Sequence, residues 1–250
     1  MPFPDFTIHQ WMLAALAAFF AGVSKAGMAG LGMISVMIMV CVIPGKASTG
    51  AVLPLLIFAD MMAAAIFRQE ILWTPIRRLA LPVAAGITIG WQILQHMPDH
   101  TFQPFIGWMV AAMLGLQVIN LWKPELTAEL PHSLPFIWVV GLLTGISTMA
   151  ANAAGPIATI YLLLIGLAKK EFIATMAWLF LFVNISKVPM SFQLGYIDAR
   201  SLSMNVVLVP AIAMGLWIGR KCILRLPQKP FFIMIMAFAA WSAMKLIWFR

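Results

Sequence analysis

The chain has 250 residues, of which 63% are hydrophobic and 10% charged. Soluble domains run near 45–50% apolar and about 25% charged, so this composition excludes an ordinary soluble protein and reads as an integral membrane protein. The formal charge of +8 does not point to nucleic acid, because the basic residues stand at the ends of apolar runs, where they act as topology signals.

The apolar runs are long and continuous, without the alternation of barrel strands, so the spans are expected to be helices. The first residues carry no lysine or arginine before Lys25, so the start reads as mature protein rather than a basic signal sequence. The first apolar segment, about 8–43, is too long for a single span of about 20 residues. It is interrupted at Ser24-Lys25-Ala26-Gly27-Met28-Ala29-Gly30-Leu31-Gly32. Each glycine weakens a helix by roughly 1 kcal/mol relative to alanine, which predicts two short helices meeting at Lys25. A turn at 44–46 leads to a helix over about 47–67 that contains Asp60. A basic loop is expected at 68–78, with Trp73 as an interfacial anchor. Helices over about 77–95 and 101–122 follow, separated by a turn at 96–100. The polar stretch 123–133 reads as a linker.

The second part repeats the plan. A broken segment spans about 134–167, a turn occupies 168–171, and helices are expected over about 172–192, 199–224 and 230–249. The break reads Gly145-Ile146-Ser147-Thr148-Met149-Ala150-Ala151-Asn152-Ala153-Ala154-Gly155-Pro156. Gly22 falls on Gly145, Ser24 on Ser147, Lys25 on Thr148 and Gly32 on Gly155, each 123 positions apart. Further on, Gly86 and Gly90 match Gly215 and Gly219. An internal duplication follows, with repeats at 1–122 and 134–250. If each broken segment enters and leaves on one side, the loops at 68–78, 123, 169–170 and 220–229 share a side and hold ten basic residues. That bias favours inverted halves with both termini on the outer side. The expected fold is therefore an all-α membrane protein of two inverted-topology repeats, each a glycine-broken helical hairpin plus three transmembrane helices.

Paired broken segments in matching positions are the sequence sign of a transporter's central site. Lys25 lies mid-segment, where a charge is expensive and a functional role is the default reading. It would bind an anion together with the backbone of Ser24, Gly27 and Gly30 at a helix terminus. The competing reading is that it snorkels to an interface or neutralises Asp60. Ser147, Thr148, Asn152 and Gly155 would supply neutral donors from the opposite break, or else bond their own backbone. Asn184 and Lys187, three residues apart, share one helix face and would look inward. Asp60 could carry a proton or pair with Lys25, Lys187 or Arg68. His96, Asp99 and His100 read as a turn rather than a metal site. The 19 methionines read as packing, and Cys41 and Cys222 as thiols in apolar context. Trp11, Trp122 and Trp248 suit interface belts. No cofactor is expected.

The run Gly22-Val23-Ser24-Lys25-Ala26-Gly27 continuing to Gly30-Leu31-Gly32, Asp60 before Phe67-Arg68, and Asn184-Ile185-Ser186-Lys187-Val188-Pro189 followed by Gly195 resemble the sulfite exporter TauE/SafE family over nearly the whole chain. The resemblance implies a bacterial inner-membrane carrier of small sulfur-containing anions, such as sulfite or sulfonates, usually proposed as an exporter; the two-repeat architecture itself points to alternating access, one half rocking against the other. Two other classes stand beside it: an anion channel, in which the break is a constriction, and an intramembrane enzyme. The enzyme reading lacks the buried histidine or several carboxylates that acid–base chemistry would use.

Overall fold

A computed structural model describes residues 5–28, 31–43, 50–96, 130–152 and 154–248, with single residues and short pieces between 108 and 125. The described residues form helices without strands. They are α1 (Ile8–Lys25), α2 (Leu31–Val42), α3 (Leu53–Ile66), α4 (Trp73–His96), α5 (Leu134–Ala151), α6 (Ala154–Leu164), α7 (Lys169–Gln193), α8 (Ala199–Arg225) and α9 (Gln228–Trp248). The positions described between Trp108 and Trp122 are helical as well.

Both long apolar segments are interrupted at the expected places. Gly27 ends the first helix at φ 118°, a left-handed conformation open to glycine and strained for other residues. Asn152 ends α5 at φ 50° and ψ 29°, a region that asparagine tolerates because its side chain bonds locally. At about 1.5 Å per residue, α2 with 12 residues and α6 with 11 reach little more than half way across a hydrocarbon core of roughly 30 Å. In contrast, α7 and α8, with 25 and 27 residues, are long and apolar enough to cross it.

Three boundaries differ from expectation. The helix expected from about 77 begins at Trp73 instead, after a 3₁₀ turn at Arg68–Glu70. Trp73 packs against Trp178, with ring centroids 5.3 Å apart. Likewise α7 starts inside the expected turn, at Lys169, and α9 takes in Lys229. Trp122 is largely exposed and Trp11 packs on Phe6. The turns at 44–46 and 97–100 and the side chain of Trp248 lie outside the described residues.

Helix starts are capped by local chemistry. Thr7 and Gln10 form a reciprocal capping box at α1, and the backbone N–H of Ser201 donates to Asp198 Oδ1 at 2.7 Å to open α8. Asp198→Ala is expected to lower stability by about 1 kcal/mol, read as a fall of roughly 2–4 °C in melting temperature. A melt unchanged from wild type would remove the cap's role.

The most extensive interfaces are α4 with α5 and α1 with α8, and α3 packs on both α7 and α8. The close crossings run through glycine. A Cβ on Gly22 would sit 2.1 Å from Ile212 O, and one on Gly145 2.3 Å from Val83 O. Helices from the start of the chain thus close on helices from its second part. Polarity is inverted relative to a soluble protein. Asp60 is 0% and Lys187 3% exposed, while Met12, Leu81, Phe192 and Val206 are each about two-thirds exposed. An apolar exterior around a charged interior suits hydrocarbon as the solvent.

Candidate functional site

Lys25 is the last residue of α1, one position before the break. Its Nζ lies 2.7 Å from Asp60 Oδ1 and 4.7 Å from the centroid of the Phe180 ring. Asp60 sits on α3, wholly buried. From α7, Asn184 Nδ2 donates to the second carboxylate oxygen, Oδ2, at 2.6 Å. One helical turn further, Lys187 Nζ donates to Thr148 Oγ1 at 3.2 Å and to Asn152 Oδ1. α7 therefore ties the charged end of α1, through Asp60, to the second break.

Lys25, Asp60, Phe180, Asn184, Thr148 and Asn152 border a cavity of about 70 Å³. By the same measure a water needs roughly 10–15 Å³, so the space holds about five water-sized bodies, comparable with a small oxyanion. Its polar wall is Ser24, Lys25, Asp60, Thr148, Asn152 and Asn184. Gly32 and Ser35 approach from the first turns of α2, and Gly155 and Pro156 from the start of α6. The first turns of two helices, α2 and α6, thus line one cavity, and a helix N-terminus carries the positive end of a dipole. Phe172, Phe180, Met39 and Met176 supply an apolar floor. Two lysines against one carboxylate leave the surroundings one positive charge in excess when all three are ionised. Lys25 keeps 12% of its side chain exposed despite its ion pair, so the ammonium borders the cavity while holding Asp60.

Of the residues singled out from sequence, the cavity wall gathers Ser24, Lys25, Gly27, Asp60, Thr148, Asn152, Gly155 and Asn184. Gly30 lies outside the described residues. Ser147 is fully buried and donates to Thr144 O in its own helix at 3.1 Å, away from the cavity. Lys187 stands behind Thr148 and Asn152 rather than on the wall. Between the pairings open to Asp60, the geometry selects Lys25. Phe180, Met176 and Ser35 were not anticipated. For Ser35 a signal existed, since it lies one helical turn after Gly32 on α2. The floor residues carry none, being ordinary apolar positions of a spanning helix. Among the described residues no group of histidine, cysteine and acidic side chains is placed to hold a metal ion.

An apolar helical exterior with a small polar cavity between two broken helices defines a membrane protein of the transporter class. The model of the sulfite exporter TauE/SafE family matches residues 14–246, and the chain belongs to that family. Comparison with curated proteins and with solved structures returned no match.

Proposed function

We propose that the protein is a secondary carrier that moves sulfite or small organosulfonates out across the bacterial inner membrane. The observation that carries this reading is the cavity: Lys25 and donors from two separate helix breaks converge on a space the size of a small oxyanion. The family match over residues 14–246 supports the substrate class. Ser24, Lys25, Gly27, Gly30, Thr148, Asn152, Gly155 and Asn184 are the proposed anion-binding residues, and Asp60 the group that takes up a proton when the anion engages Lys25.

The proposed architecture is two inverted repeats, 1–122 and 134–250, joined by the linker 123–133, with each break the tip of a hairpin. Matched glycines support it. Gly22 of α1 meets α8 beside Gly215 and Gly219, and Gly145 of α5 meets α4 beside Gly86 and Gly90, so equivalent positions build equivalent crossings. Asp60 and Asn184, 124 residues apart, bond to each other, as residues near a two-fold axis between repeats would. Alternating access would follow from rocking one half against the other around this point, with both termini periplasmic by the charge bias of the loops.

The test is a thermal-stability titration of purified protein with sulfite, sulfate, thiosulfate, short sulfonates and carboxylates. A ligand bound only by the folded state raises the melting temperature with concentration, about 2.7 kcal/mol at a hundredfold excess over Kd. Sulfur oxyanions are expected to stabilise, and carboxylates not. If no sulfur anion shifts the melt while an unrelated solute does, the substrate class falls. Turnover in liposomes separates carrier from channel, since a channel would conduct far faster.

A further inference from the structure

We propose that the end of α8 is a docking site for an anionic phospholipid, whose headgroup phosphate is held by Lys221 and Arg225 beside Trp217 and whose acyl chain lies along the outward face of the helix. The site is separate from the cavity, to which α8 contributes no lining residue.

The helix sorts its own residues. Positions three and four apart share a helix face, and Ile212, Leu216, Gly219 and Ile223 are buried against the protein. On the opposite side Val206, Met214, Trp217, Lys221 and Leu224 are exposed. α8 is long and apolar enough to cross a membrane, so this stripe meets hydrocarbon. At about 1.5 Å per residue, the stretch 206–221 runs about 22 Å, ending at the lysine. A lysine near an interface ordinarily extends its ammonium to water. Lys221 instead leans toward the helix N-terminus, as helical side chains do, and its Nζ lies 3.5 Å from the centroid of the Trp217 ring. That is one turn back toward the middle of α8. Trp217 is 55% exposed, so ring and ammonium together face the bilayer. Tryptophan favours the headgroup level, and a cation stacked on it there stands among lipid phosphates. Arg225, also exposed, follows one turn nearer the helix end, and its guanidinium fork matches phosphate oxygens in pairs.

The charge around this end has one sign. Arg220, Lys229 of α9 and Lys170 of α7 are exposed as well. Lys169 Nζ donates to Ile223 O and Leu226 O, which brings the start of α7 alongside and covers carbonyls that would repel a phosphate. Glu171, in the same first turn of α7, is engaged by the Ala168 N–H at 2.9 Å. Among the described residues none of these exposed cations has an ion-pair partner. The patch therefore needs a counter-charge, and the stripe beside it needs an apolar cover. An anionic phospholipid carries both in one molecule, a phosphate at one end and hydrocarbon along the rest.

The experiment uses the full chain purified in a neutral detergent and follows retained lipid by native mass spectrometry. The probes are phosphatidylglycerol, phosphatidylcholine with the same acyl chains, and inorganic phosphate. Wild type is expected to hold phosphatidylglycerol about twentyfold more tightly than phosphatidylcholine, roughly fivefold for each of two cations. Lys221→Gln combined with Arg225→Gln should abolish that preference. Trp217→Leu keeps every charge but frees Lys221, and should weaken phosphatidylglycerol retention roughly two- to fivefold, the range of an exposed cation–π contact. Arg77→Gln combined with Arg78→Gln removes the same charge from the first turns of α4 and should leave the preference unchanged. All these side chains are exposed, so each variant should melt with wild type. If the α4 variant loses the preference as fully as the α8 variant, lipid responds to net charge alone and α8 holds no site. Displacement of phosphatidylglycerol by inorganic phosphate would make the ligand a soluble anion and overturn the lipid assignment. Equal retention of the two lipids by wild type overturns the proposal outright.

Discussion

Lys25→Met is expected to abolish anion binding and to lower stability by about 3–5 kcal/mol, the range for removing one partner of a buried ion pair. Lys25 is the ion-pair partner of a carboxylate that has no exposure at all. With Lys25 gone, Asp60 keeps the amide of Asn184 at 2.6 Å, but one neutral donor does not offset a buried negative charge. Adding Asp60→Asn to Lys25→Met removes that charge and should return most of the lost stability, because a neutral pair of similar volume replaces a charged one. Binding should not return with it. The comparison of the single and double variants separates two roles that one substitution confounds. If the double variant regains both the wild-type melt and anion binding, Lys25 serves only as the counter-ion of Asp60 and the cavity binds without it. If it regains the melt alone, Lys25 is a ligand. Thermal unfolding in detergent and the same anion titration supply both readouts.

The sequence made the breaks legible and left the pairings open, for physical reasons that differ. Glycine density and a lone lysine in an apolar run are local facts, and the helices do end at Lys25 and at Ala151. The matching of Gly22 with Gly145 and of Gly86 with Gly215 was likewise visible, although what those glycines do was not. Only packed helices show that each admits the backbone of a neighbour. Asp60 had three candidate partners at very different sequence distances, and choosing among them needs the crossing of α1, α3 and α7. Asn184 and Lys187 shared a face as their spacing requires, yet they part company on it. Asn184 turns to Asp60 and Lys187 to the second break, because successive turns of α7 cross different neighbours. The misplaced start of α4 has another cause. Hydropathy marks where hydrocarbon begins, whereas helical hydrogen bonding continues past it, so charged Arg77 and Arg78 sit in the first turns of a helix that opens at Trp73.

Gly22→Ala and Gly145→Ala are expected to be strongly damaging despite adding a single methyl. In an isolated helix each would be favourable, since alanine is the better helix former by roughly 1 kcal/mol. In place, the new methyl on Gly22 would stand 2.1 Å from Ile212 O and 2.8 Å from Leu216 N, and that on Gly145 2.3 Å from Val83 O and 2.6 Å from Ile87 N. All four are backbone atoms of the opposing helix, so no side chain can turn aside. The helices must separate, and in a bilayer close backbone approach through small residues is what holds a helix pair together. The loss should exceed the 1–3 kcal/mol usual for an added methylene in a packed core. Function should suffer before folding does. Residues on α1 and α5 carry Lys25 and Thr148 to the cavity, and each helix is positioned by its glycine crossing, so a shift of about 1 Å loosens donors that must converge on one anion. Gly115→Ala is the control: a methyl there meets nothing within 4 Å among the described residues, and the variant should melt at or slightly above wild type. Wild-type melting and binding in Gly22→Ala would mean that α1 and α8 do not meet backbone to backbone, and that some other contact places Lys25 at the cavity.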